Sequence, residues 1–229
     1  MDLAYTNNMK MKKIILLIGF FILPAISIFS QTDSTTIYYR GIENDDLRSV
    51  CRLTGIQMQK IFCKDTLLRG KVFNIIIKEY KKGKVCSEKN LNLNAEKQRI
   101  PMEIDGKLYS YIIDYVDKAG FGESTDSLTV TFAGLWNQNQ FKLSIEHPGI
   151  SVSYVLKGKA DYSLRPANPC SDDELEVPIN TQYPILAYTP PFDTGSGLQS
   201  YCLLGEEDVR DWYEKFKVKH YYVIYVEIK

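Results

Sequence analysis

The residues best equipped for chemistry in this chain lie between positions 183 and 202. Asp193 stands in Phe192-Asp193-Thr194-Gly195-Ser196. A carboxylate there could share one proton with a second carboxylate and activate water, because two close carboxyls cannot both ionise. Just before it runs Tyr183-Pro184-Ile185-Leu186-Ala187-Tyr188-Thr189-Pro190-Pro191-Phe192. Tyr183, Tyr188 and Phe192 combine flat apolar rings with stiff prolines, a set suited to stacking on a sugar or peptide. The same segment could instead lie across a sheet and shield its edge. Glu146-His147 carries atoms for acid/base work. Cys202 and His220 could form a thiolate pair, although Cys202 is better matched to a disulfide. Ser196 sits in Gly-Ser-Gly but lacks the five-residue nucleophile elbow. Asp172, Asp173, Glu174 and Glu176 form an oxygen-rich cluster without calcium-loop spacing, expected to be solvated. No cysteine and histidine spacing suggests zinc, and no cofactor is expected.

Phe192 to Ser196 resembles the Asp-Thr-Gly-Ser signature of the aspartic proteases. That resemblance implies Asp193 as one of two catalytic carboxylates. The family needs a second aspartate, and no second Asp-Thr-Gly occurs in the chain. Its downstream apolar-apolar-Gly element could correspond to Leu203-Leu204-Gly205, which follows too closely to form the usual supporting layer. The segment is therefore expected to be a Gly-rich surface turn.

The start of the chain sets the compartment. Met11-Lys12-Lys13 leads into an apolar run at 14–29, whose end carries the small residues Ala25 and Ser27, with Ser30 just beyond. This is the pattern of an export signal. Pro24 and Ser27 interrupt the run, which is shorter than the roughly 20 residues of a membrane-spanning helix. No transmembrane anchor is expected once the signal is cleaved. Cleavage is expected after Ser27 or after Ser30, and the Ser30-Gln31 junction resembles those of exported proteins from gut commensal bacteria. By signal and composition the chain resembles the exported proteins of unassigned role in such bacteria, a likeness that transfers no residue roles. Residues 1–30 are read as the signal and 31–229 as the mature domain, with a sub-boundary conceivable near 165.

All five cysteines, Cys51, Cys63, Cys86, Cys170 and Cys202, lie beyond the signal. An oxidising compartment permits disulfides, and an odd count leaves at least one thiol over. Cys170 and Cys202 are the expected pair, since they flank a long irregular segment. Basic and acidic residues balance at 28 each. Such neutrality excludes the basic footprint of a nucleic-acid binder. Lys78, Lys81, Lys82 and Lys84 cluster around an expected turn and are read as a solvated hairpin tip.

These residues need elements to hold them. Asn44 could cap a helix carrying Leu47, Val50, Cys51 and Thr54, with Gly55 as its stop. Beyond it the period changes to two. Residues 71–80 and 84–93 read as a hairpin across Lys81-Lys82-Gly83, and Asp105-Gly106 marks another. Short alternating runs at 128–132, 141–145 and 152–156 continue the pattern. After the proline-rich segment at 166–204, Val209, Trp212, Tyr213 and Phe216 fall on one helical face opened by Glu206, Glu207 and Asp208. Residues 220–229 are apolar on both faces, as in a central strand or one covered by the preceding helix.

The expected fold is a β-rich α+β domain. It has antiparallel sheets forming a sandwich or curved sheet, a short N-terminal helix, and a C-terminal helix followed by a strand. The expected role is a non-catalytic binding or structural module of the bacterial envelope or extracellular space. Its partners would be a glycan, a peptide or an envelope protein. The rival roles are a carboxylate hydrolase acting on envelope or host polymers through Asp193, and a subunit that completes its fold against a partner.

Overall fold

The computed structural model describes residues 33–91, 98–113, 126–137, 139–147, 150–166, 173–193, 199–201 and 208–229. The expected signal, the Cys170 and Cys202 pair, Thr194 to Gly197 and Glu206-Glu207 lie outside the described residues. Ser34–Lys229 forms one compact unit.

Two antiparallel sheets face each other. The first has six strands: β1 (Ser34–Arg40), β2 (Ile56–Lys64), β7 (Ser127–Asn137), β8 (Gln140–His147), β9 (Ile150–Lys157) and β11 (Glu174–Pro178), in the order β11-β1-β2-β7-β8-β9. The second has five: β3 (Phe73–Lys81), β4 (Lys84–Asn90), β10 (Ser163–Pro166), β12 (Tyr183–Thr189) and β15 (His220–Ile228), in the order β10-β12-β15-β3-β4. Two smaller hairpins pair β5 (Gln98–Ile104) with β6 (Lys107–Ile113) and β13 (Phe192–Asp193) with β14 (Gln199–Ser200).

Strand alternation builds the core. Val130 and Phe132 of β7 and Leu143 and Ile145 of β8 face Phe73, Ile75 and Ile77 of β3 and Tyr222, Ile224 and Val226 of β15. Phe141 of β8 stacks on Tyr188 of β12, with centroids 4.3 Å apart, and locks the two layers together. Gly134 makes that possible: a Cβ there would stand 2.1 Å from the Phe141 ring. A glycine inside a strand marks such a close approach. At one corner Gln57 of β2 reaches across to β10. Its amide donates to the Tyr162 carbonyl at 3.1 Å and its oxygen accepts from the Leu164 N–H at 2.5 Å.

The far face of the second sheet is also covered. Ile76 and Tyr80 of β3 and Tyr221, Val223 and Tyr225 of β15 pack with Val209, Trp212 and Val218. β15 therefore lies between β12 and β3 and is buried on both faces, as its doubly apolar sequence requires.

The helices follow their expected signals unevenly. In α1 (Asp45–Thr54), Asn44 accepts from the Leu47 N–H at 2.8 Å and Gly55 closes the helix at φ 74°. Its apolar residues do not join the core: only Cys51 is buried, and Leu53 is 83% exposed. The second helix, α2, is short (Trp212–Phe216) and is stopped by Lys217 in the left-handed region at φ 56°. Both expected hairpin turns form, with Lys82 and Gly83 at φ 50° and 75°, and Asp105 and Gly106 at φ 51° and 73°. The β3–β4 tip is more than a solvated turn. A Cβ on Gly83 would come within 2.8 Å of the Arg210 carbonyl oxygen, so the tip rests on the segment leading to α2.

Candidate functional site

A cleft of about 570 Å³ opens at one end of the sandwich. That size falls within the range of small-molecule sites, about 300–1,000 Å³. Three segments border it. The turn between β9 and β10 gives Lys157, Gly158, Lys159, Asp161 and Tyr162; the chain leaving β12 gives Pro190, Pro191, Phe192 and Asp193; the end of α2 and its link to β15 give Phe216, Lys217, Val218, Lys219 and His220.

Local chemistry fixes each wall. The first turn is tied to β15 by the Lys157 N–H, which donates to the Tyr222 hydroxyl at 3.1 Å. The Tyr162 hydroxyl donates to the His220 carbonyl at 3.0 Å. Gly158 lets this turn settle onto two rings, since a Cβ would lie 3.0 Å from Tyr162 and 3.1 Å from Tyr188. Pro190 and Pro191 end the β12 ladder because they lack an N–H. Phe192 then meets Phe216 in a tilted pair with centroids 4.8 Å apart. Left-handed Lys217 turns the chain from α2 into β15, and its ammonium donates to the Glu214 carbonyl at 2.7 Å.

Below the cleft lies a polar chain. His220 Nε2 is 3.0 Å from Glu79 Oε1 and its Nδ1 is 3.4 Å from the Tyr162 hydroxyl. Lys81 Nζ is also 3.0 Å from Glu79 Oε1. Burial raises the Glu79 carboxyl, but hydrogen bonds from Lys81 and His220, with their charges, hold it below the usual carboxylate range. Burial pushes the Tyr162 phenol up to about 12, aided by Asp161. Tyr162 is therefore neutral at neutral pH and serves as a donor.

The anticipated residues separate in space. Asp193 is exposed and borders the cleft, as does Asp161 from the opposite segment. Phe192 borders the cleft but is itself buried, 8% exposed and packed into the second core, so it offers no exposed ring of the kind expected. Tyr183 is half-buried, packs against the core and does not border the cleft. Tyr188 corrects the expectation of an exposed aromatic patch: it is 0% exposed, sandwiched with Phe141, and has no face left for a ligand. Glu146 and His147 cannot act together, because adjacent strand residues point to opposite faces; Glu146 is exposed and His147 buried. Asp173, Glu174 and Glu176 are exposed on or beside the edge strand β11. Among the described residues no group of acidic, histidine or cysteine side chains is arranged to hold a metal ion. Cys51, Cys63 and Cys86 are free thiols, and no described helix is long and apolar enough to cross a membrane.

Sequence reasoning missed Lys157 and Lys159, placed Phe216 only on a helix face, and weighed His220 only with Cys202 rather than with Glu79 and Tyr162. The available signal was local and weak: a Lys-Gly-Lys turn beside a tyrosine, and a histidine opening an apolar strand.

A smaller hollow of about 430 Å³ lies on the outer face of the first sheet, bordered by Tyr38, Arg40, Phe62 and Lys64. It is partly self-satisfied, because the Arg40 guanidinium already lies 4.1 Å from the centre of the Phe62 ring.

The chain matches no protein-family model, no curated protein and no solved structure.

Proposed function

We propose that this chain is an exported, non-catalytic binding module of the bacterial envelope or extracellular space, and that its site is the cleft between the β9–β10 turn, the chain after β12 and the α2–β15 link. The observation that carries this reading is the convergence of three distant segments on one cleft, with the Phe192 and Phe216 rings in its wall. The basic and apolar leader before residue 31 supports export. The ligand class is a glycan, a peptide or an exposed part of an envelope protein. Binding needs no group to change protonation or form a bond, and a wall of rings, ammonium groups and carboxylates supplies the contacts.

The test is a thermal-shift screen of the purified protein against envelope glycans, peptidoglycan fragments, peptides and calcium. A ligand at about 100 times its dissociation constant stabilises by about 2.7 kcal/mol. A saturable shift that Phe216→Ala removes supports the module; a panel without any shift moves the reading to a structural or partner-dependent subunit. A second reading, a carboxylate hydrolase, draws support from Asp161 and Asp193 bordering one cleft. Under it, Asp193→Asn abolishes turnover of a bound polymer while binding persists. Under the binding reading, no polymer is turned over by either form.

A further inference from the structure

Resting on the reading of the cleft as a binding site, we infer that its ligand is an acidic saccharide, a sugar carrying a carboxylate. Three independent features of the cleft narrow the chemistry. The first is an excess of positive over negative side chains. Four lysines border it. Lys217 is turned back onto the Glu214 carbonyl, while among the described residues the side chains of Lys157, Lys159 and Lys219 meet no ion-pair or hydrogen-bond partner. These lysines come from the β9–β10 turn and the α2–β15 link, so they border the cleft from two segments rather than one loop. Convergent like charges in a concave site raise the local concentration of an anion.

The second feature excludes a bare anion as the best fit. Asp161 and Asp193 share the same cleft. Carboxylates repel a phosphate or sulfate but accept hydrogen bonds from hydroxyl groups. A ligand that satisfies both sets carries an anionic group and several hydroxyl donors on one skeleton. The third feature is the half-buried Phe216 ring in the wall, an apolar surface with no hydrogen-bonding atom, held in place by buried Phe192 behind it. It suits the C–H face of a pyranose ring, which is apolar while its edge is polar. Hydroxyls on the carboxylates, ring face on Phe216 and acid on the lysines use every chemical type the cleft offers.

The experiment is calorimetric titration of the purified protein with two probes, tri-galacturonate and the N-acetylglucosaminyl-N-acetylmuramic acid disaccharide. Their methyl esters and tripolyphosphate serve as controls. At least one acidic sugar is expected to bind, its ester to bind at least about tenfold more weakly, and added salt to shrink that difference. Lys159→Gln and Lys219→Gln should each cost about two- to fivefold, the range of one exposed ion pair. Both are exposed side chains, so folding is not at stake. An ester that binds as well as its acid overturns the anionic assignment; the binding-site reading survives if Phe216→Ala still weakens that binding. Tripolyphosphate matching the acidic sugars overturns the saccharide assignment. Absence of binding by both acidic sugars overturns the inference outright, while the broader ligand panel decides the binding-site reading separately.

Discussion

Tyr188 shows how burial reverses the meaning of a residue. By type it is a ligand-binding ring, yet its hydroxyl is buried and meets no hydrogen-bond partner among the described residues. Burial, followed by the nearby Tyr162 and Asp161, pushes the phenol far above its ordinary range. An unsatisfied buried polar group costs about 1–3 kcal/mol. Tyr188→Phe keeps the stack on Phe141 and removes that cost, so it should raise the melting temperature by about 2–4 °C per kcal/mol recovered. A lower melting temperature would show that the hydroxyl has a partner. The thiols offer a second test at this scale. Cys51 and Cys63 are buried, and Cys86 is exposed on β4. Burial pushes the Cys63 thiol up to about 12, which leaves almost no thiolate at ordinary pH. Iodoacetamide added to the native protein should label Cys86 well before Cys51 and Cys63, as read by peptide masses. Equal labelling of Cys63 and Cys86 would contradict the placement of β2 in the core.

At the scale of elements, α2 cannot stand alone. Five residues do not make a stable helix in water. Trp212 holds it, being 0% exposed with its ring 4.9 Å from that of Tyr221. Trp212→Ala should therefore cost about 3–5 kcal/mol, the usual loss for a buried large aromatic, measured as a fall in denaturation midpoint. An unchanged midpoint would mean that the far face of β15 is covered without it. The same helix marks what could be read from sequence. Its apolar side was legible because Trp212 and Phe216, with Val209 in the turn before the helix, are local neighbours. The Asn44 and Gly55 caps and the two hairpin turns were legible for the same reason: each is decided within a few residues. The order of strands was not. His220 pairs with Lys81, and its side chain bonds Glu79 across a sequence separation of 141 residues. The cleft was hidden for that reason too, since Lys159, Phe192 and Phe216 meet only after β9, β12 and β15 have found their partners. α1 misled in the opposite sense, because helical spacing of Leu47 and Val50 indicates a helix but not what it packs on.

For the whole molecule, β15 connects everything: it pairs with β12 and β3, fills the sandwich with one face and supports α2 with the other. Its first residue, His220, carries the link from that core to the cleft. Beneath it, Glu79 makes the stability of the fold depend on pH. Burial opposes ionisation of Glu79, but Lys81 and His220 more than offset it and lower the pKa below the ordinary value. A carboxyl lowered on folding binds its proton more readily in the unfolded chain. Its contribution is thus complete above the unfolded value, about 4.3, and is lost as pH falls through the folded one. Glu79→Gln keeps the shape and removes the charge. The melting temperature of the native protein should exceed that of the variant at neutral pH. The gap should narrow below about pH 4.3 and close once Glu79 is protonated in the folded state. A gap that stays constant down to acid pH would assign the role of Glu79 to packing. The ion pairs beneath the cleft would then contribute nothing to holding β3 and β15 together.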